Sequence, residues 1–141
     1  MSKGKVVHPE KVMPFIAPGC EGKYISRMLI DTYNCGSEKL QVNHGTVKAG
    51  QGLPGAAHEG HDELYIVLKG HADLNMAGEH YDLKDGSVVF IPGGTFHALT
   101  NKSETEDFEL ITVWPGQPAL GANELYDMRK EAWGTTYREV E

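Results

Sequence analysis

Two stretches of this 141-residue chain hold residue types that could together ligate a cation. The first, PGAAHEGHDELYIVLKG (54–70), sets His58, His61 and Glu63 close together and then becomes apolar and β-branched. The second, PGGTFHALTN (92–101), brings His97 in behind a Pro-Gly-Gly turn. Imidazole and carboxylate converging on one point suit a divalent transition ion such as Mn, Zn, Fe, Ni or Co. Residues two apart on a strand share a face. Glu63, Tyr65 and Val67 therefore look one way, and Ala56 and His58 share a face of the strand before them. The short EGHD loop is expected to fold these two strands into a hairpin, so that His58 looks across at Glu63. His97 arrives from a distant strand. Ligands held rigidly in this way leave coordination positions open for a substrate.

The landmarks around these residues are regular. Gly50 is followed by QGLPG, Ala56, Ala57, His58, EGHD, Glu63, LYIVLK and Gly70. Gly86 is followed by SVVFI, Pro92, Gly93, Gly94, TF, His97, ALT and Asn101. Over about 39–114 this pattern resembles the two motifs of the cupins. In the first motif every landmark is in register except the first histidine, where Ala56 stands; the second motif has no departure. The resemblance implies an all-β double-stranded β-helix, or jelly roll, commonly dimeric, with a metal inside the barrel held by His58, Glu63 and His97.

Ala56 leaves three readings open. Water or substrate takes the fourth place, or His61 fills it from the loop as a further ligand, or the pocket binds small molecules without metal. Glu-Leu-Tyr at 63–65 looks like the corresponding stretch of cupin-type sugar-phosphate isomerases, and also occurs in cupin lyases.

Around this centre, Tyr65 lies about 7 Å along the strand from Glu63 on the same face. It is a candidate acid, base or hydrogen-bond donor, as is His61; a barrel-filling aromatic is the alternative for Tyr65. His44, Thr46 and Lys48 share one parity of QVNHGTVK. If that parity faces inward, His44 and Lys48 bind substrate; if not, they are solvated groups of an edge strand. Trp114 is read as pocket wall or core. Glu59, Asp62, His71 and His80 are expected in solvent. Val88 and Phe90 are expected in the core, and Asn101 in local turn bonding.

These residues need strands to hold them. Strands are expected at 24–32, 39–49, 61–70, 71–76, 79–83, 87–92, 96–101 and 107–115. A turn is expected over NCGSE, a glycine-rich loop over GQGLPG, and a tight hairpin turn at Ala77-Gly78. NELYDMRKEAW predicts a short C-terminal helix capped by Asn123. One domain is expected over 1–141, with an arm over 1–23 lying along a sheet edge, a barrel over 24–115 and a tail over 116–141.

The net charge of −7, with no basic stripe, argues against nucleic acid and anionic membranes. No apolar run approaches a membrane span, and the N-terminus has no signal-like segment. The chain is therefore expected to be cytoplasmic, with Cys20 and Cys35 as reduced thiols. The functional expectation is a metal-dependent enzyme on a small polar molecule of the sugar or carboxylate class. Aldose–ketose isomerisation or epimerisation through an enediolate is the specific form. An Fe(II) dioxygenase, a lyase and a non-catalytic binding cupin are the alternatives. A homodimer is expected.

Overall fold

The computed structural model describes residues 4–118 and 121–141. In chain order the elements are β1 (Tyr24–Ile30), α1 (Thr32–Cys35), β2 (Gln41–Val47), β3 (Gly52–Ala56), β4 (Glu63–Lys69) and β5 (Ala72–Met76). They continue with β6 (Glu79–Leu83), β7 (Val88–Ile91), β8 (His97–Asn101), β9 (Phe108–Trp114) and α2 (Glu124–Trp133). Five strands form one sheet in the order β1-β2-β9-β4-β7, and four form another in the order β3-β8-β5-β6. All pairings are antiparallel. The sheets stack as a jelly roll, and their facing side chains make one core. Val47, Val67, Phe108 and Leu110 come from the larger sheet; Ala72, Leu74, Leu83 and Leu99 come from the smaller.

The expected hairpin at 72–83 is present. Ala77 and Gly78 both have positive φ, 53° and 87°, the backbone of a tight turn matched to strand twist.

Four local expectations are corrected. GQGLPG is partly a strand: Gly52, Leu53 and Ala56 pair with Thr100, Leu99 and His97. Pro54 is tolerated there because β3 is a sheet edge. The loop after it is not a hairpin, since β3 and β4 belong to different sheets and residues 57–62 cross between them. The strand at 24 ends at Ile30 because Asp31 caps α1: its carboxylate accepts from Asn34 N at 3.0 Å, while Asn34 Oδ1 accepts from Asp31 N at 2.8 Å. Val88 and Phe90 are not core. Register pairs them with Ile66 and Leu64 on the outer face, while Val89 and Ile91 turn inward beside Tyr65 and Glu63.

The arm runs along the edge of this chain's own larger sheet. Phe15 N donates to Ser26 O at 2.7 Å, and Ser26 N donates back at 3.0 Å. Met13 N bonds Arg138 O, and Val140 N bonds Lys11 O, so arm and tail pair with each other. This covers the backbone groups an open edge would expose. Among the described residues, no helix is long and apolar enough to cross a membrane, and Cys20 and Cys35 are free thiols.

Gly70 closes the first motif for a backbone reason. Its φ is +115°, and a Cβ there would lie 3.0 Å from Phe108 Cα and 3.1 Å from Asp107 O. Neither backbone atom can swing aside. Gly70→Ala is expected to cost about 1–3 kcal/mol. Gly78→Ala, with no heavy atom near the added methyl, should cost less. Paired urea melts check the order.

Candidate metal centre

β4 starts at Glu63 and points it, with Tyr65 and Val67, into the barrel; β8 starts at His97 and does the same from the opposite sheet. His58 reaches the same place from the crossing loop. One ligand atom from each of His58, Glu63 and His97 lies within 4.8 Å of the others.

Each imidazole is oriented from behind. His58 Nδ1 lies 3.1 Å from Ala122 O, and His97 Nδ1 lies 2.9 Å from Thr95 O. A carbonyl only accepts, so each Nδ1 carries the proton and donates it, and each Nε2 is left to face the centre. Such outer bonds fix tautomer and ring orientation in metal-ligating histidines.

Glu63 Oε1 is buried and has no hydrogen-bond partner among the described residues. His97 Nε2 is 3.5 Å away, close enough for attraction between charges but too long for a good hydrogen bond. A buried oxygen without a donor is costly unless something else satisfies it. Two imidazole nitrogens and that oxygen form a donor set suited to a divalent transition ion, so the residues fit the metal that the resemblance implies. Burial works against charging His97, but Glu63 and the Thr95 carbonyl outweigh it and raise its pKa above the ordinary imidazole value. An incoming ion must displace a proton held this way.

The triad forms part of the wall of a cavity of about 210 Å³. Tyr65 lines it, with its ring centroid 6.0 Å from that of His97. Burial above all, then the Glu63 carboxylate and the Tyr24 phenol, push the Tyr65 pKa well above its ordinary value. Tyr65 is therefore protonated at neutral pH and can donate. Trp114 is both wall and core: it is 2% exposed, lines the cavity and packs against the His58 ring at 4.7 Å between centroids. Ala56 lines the cavity with a methyl group.

Other candidates are placed elsewhere. His61 does not join the group of three; its ring stacks on Trp114 at 5.0 Å between centroids and 25° between planes. His44 and Lys48 do not line the cavity. The inward parity of β2 belongs to Gln41, Asn43 and Val47, so His44 faces outward and bonds Glu109 Oε1 at 3.1 Å. Lys48 pairs with Asp107 at 2.9 Å. Asp62 accepts from Gly93 N at 3.0 Å, tying the crossing loop to the turn before His97. His71 and His80 are exposed and pair with Asp82 and Asp73. Asn101 Nδ2 donates to the carbonyls of Val47, Lys48 and Glu106, joining three segments.

The sequence reading missed the far wall: Tyr24 and Ser26 on β1, Gln41 and Asn43 on β2, and Tyr126 and Arg129 on α2. The one available signal was i, i+3 spacing of Tyr126 and Arg129 on a short helix, which an ordinary packing face shows equally well.

His44 makes a pH prediction. Burial, with Arg27 adding to it, holds its pKa below the ordinary imidazole value despite the neighbouring Glu109. The unfolded chain then takes up a proton near pH 6.5 while the folded chain does not. Its contribution to stability is complete above that pH and is lost as pH falls below it. His44→Gln is expected to reduce the drop in melting temperature between pH 7.5 and 5.5, measured by circular dichroism.

The cupin domain family matches residues 43–114, about half of the chain. This chain is a cupin. ManC, a mannose-1-phosphate guanylyltransferase of Salmonella typhimurium, is 34% identical over 95 residues, 67% of this chain and 18% of that one. The mannose-1-phosphate guanylyltransferase of Escherichia coli is 31% identical over 110 residues, 78% of this chain and 20% of that one. This cupin thus spans about a fifth of those enzymes' length. Among solved structures, the polyketide cyclase RemF from Streptomyces resistomycificus superposes with a TM-score of 0.71 at 25% identity, covering 82% of this chain and 81% of that one. KdgF from Halomonas sp. superposes with a TM-score of 0.67 at 17% identity, covering 82% and 96%. That second likeness is one of fold.

Proposed function

We propose that this cupin is a metal-dependent enzyme acting on a small polar substrate of the sugar class, by aldose–ketose isomerisation or epimerisation. The observation that carries the reading is a buried Glu63 oxygen, without a hydrogen-bond partner among the described residues, facing two backbone-oriented histidines in the wall of a cavity. His58, Glu63 and His97 would hold the ion. A bound divalent ion supplies Lewis acidity toward a carbonyl and its neighbouring hydroxyl. The chain supplies the rest. Tyr65, protonated and lining the cavity, donates to the substrate oxygen that gains charge and recovers a proton from the neighbouring hydroxyl, while the carboxylate of Glu124 in the same lining takes the proton from the hydroxyl-bearing carbon and returns it to the former carbonyl carbon. Trp114 and the apolar barrel wall keep bulk water from the reacting carbons. His61, stacked on Trp114 outside the cavity lining, is assigned to the rim and not to proton transfer. The guanylyltransferases are named for a sugar phosphate, which supports the sugar class.

The test incubates the protein with aldoses and ketoses in D₂O. Conversion with deuterium entering the carbon next to the carbonyl is expected, lost on chelation and restored by Mn²⁺, Zn²⁺, Ni²⁺ or Fe²⁺. Oxygen consumption, an unsaturated product, or ligand-induced thermal stabilisation without turnover would each replace this reading with a dioxygenase, a lyase or a binding cupin. The same proposal places the protein in the cytoplasm.

A homodimer through the outer face of the larger sheet belongs to the same reading. Val88 and Phe90 are 66% and 56% exposed there, and register continues their rows through Leu64 and Val113, and through Ile66 and Ile111. An apolar face of this kind fits a second copy of itself. Val88→Glu with Phe90→Glu is expected to halve the mass measured by light scattering.

A further inference from the structure

On the β1–β2 side of the cavity, with β9 between β2 and the β4 strand that carries Glu63, the lining is built around a buried cation. Arg129 is 2% exposed and is the one lysine or arginine among the described residues lining the cavity. Its Nη2 donates to Ser26 Oγ and, at 3.4 Å, to Asn43 Oδ1, both neutral acceptors. Its Nε is buried and has no hydrogen-bond partner among the described residues. Asp31 is the carboxylate whose charge it feels, but Asp31 spends its oxygens on Asn34 N and the Thr136 hydroxyl. Gln41 lines the same cavity, is 4% exposed, and its Nε2 is also buried without an acceptor among the described residues.

A guanidinium is not buried cheaply. Desolvation of such an ion costs several kcal/mol unless an anion or a full set of acceptors compensates. Two neutral oxygens and the face of Phe15, 5.4 Å from the guanidinium carbon, cover only part of that need. A carboxylate supplies the rest: it is planar, carries one charge, and matches the guanidinium fork. A phosphate dianion matches less well, because one arginine meets it while Glu63 and Glu124 also line the cavity.

We propose that this side is a carboxylate subsite: Arg129, with Gln41 on the same face of β2 as its Asn43 acceptor, receives the carboxylate of a hydroxy- or sugar-acid substrate whose carbonyl end reaches His58, Glu63 and His97. This rests on the reading of those three residues as the metal centre and narrows the substrate from polar sugars to sugar acids and related hydroxy acids. Arg129 and Gln41 bind substrate; they take no part in proton transfer.

The test is calorimetric titration of the Mn²⁺-loaded protein with glucuronate, glucose and glucose 6-phosphate, which differ at one position. Glucuronate is expected to bind at least about tenfold more tightly than the other two, the range of a charged hydrogen bond. Arg129→Met should remove that preference, and Arg129→Lys should keep part of it, with Mn²⁺ affinity unchanged in both. The comparison of three ligands on the wild type needs no variant, so a misfolded variant does not decide the matter. Equal binding of glucose and glucuronate, tighter binding of glucose 6-phosphate, or binding of none of the three overturns the subsite. Loss of Mn²⁺ binding by the wild type instead overturns the metal centre, a result read separately.

Discussion

Glu63→Gln is expected to weaken Mn²⁺ binding by at least about 100-fold while leaving the fold intact. Loss of an outer-shell partner alone costs roughly 10- to 100-fold, and here a charged oxygen in the group itself goes. The oxygen concerned is buried and without a hydrogen-bond partner among the described residues, its contact to His97 Nε2 being 3.5 Å, so the amide removes charge without breaking a good hydrogen bond. The substitution also removes the carboxylate that helps raise the His97 pKa. The His97 ring, followed by NMR, should then titrate at lower pH than in wild type without added metal. Unchanged Mn²⁺ affinity in Glu63→Gln would remove Glu63 from the centre. In wild type the proton on His97 competes with the ion, so affinity should climb with pH through the neutral range by up to about tenfold per unit for each proton displaced.

The second large effect is on stability. Phe108 opens β9, is fully buried, and lies directly beneath Gly70. It pairs with Val47 across the sheet and belongs to the core cluster that also holds Val67, Leu74 and Leu110. Phe108→Ala should therefore cost about 3–5 kcal/mol. For a chain of this size that corresponds to a fall of roughly 10–20 °C in melting temperature. A loss under about 1 kcal/mol would show that the sheets close over the gap. Gly70→Ala presses on the same contact from the other side, so the two effects should not add.

The triad was legible because its signals were local. Glycines and prolines at fixed offsets marked where strands start, and the ligands sit at those starts: Glu63 opens β4 and His97 opens β8. The hairpin at Ala77-Gly78 and the cap at Asn123 were legible for the same reason. Parity across distant pairings was not. His44 and Gln41 differ by an odd offset, so one faces out when the other faces in, and their own strand does not say which. The choice is made by β9, where Gln41 pairs with Trp114 and His44 with Ile111. Val88 and Phe90 were misplaced inside because a short apolar strand reads alike whether its outer face meets solvent or another surface. The burial of Arg129 was not legible, since it depends on where α2 docks on β1 and β2 and the i, i+3 spacing with Tyr126 fits an ordinary packing face equally well.

That docking has a consequence for length. The carbonyl that sets the His58 tautomer belongs to Ala122, one residue before the helix cap, and the guanidinium belongs to the same helix. A single inserted or deleted residue between Tyr126 and Arg129 would rotate everything beyond it by about 100°, swinging the cation out of the barrel while His58 stayed in place. Between those two points the chain tolerates changes of side chain more readily than changes of count, and phase is the quantity it has to conserve.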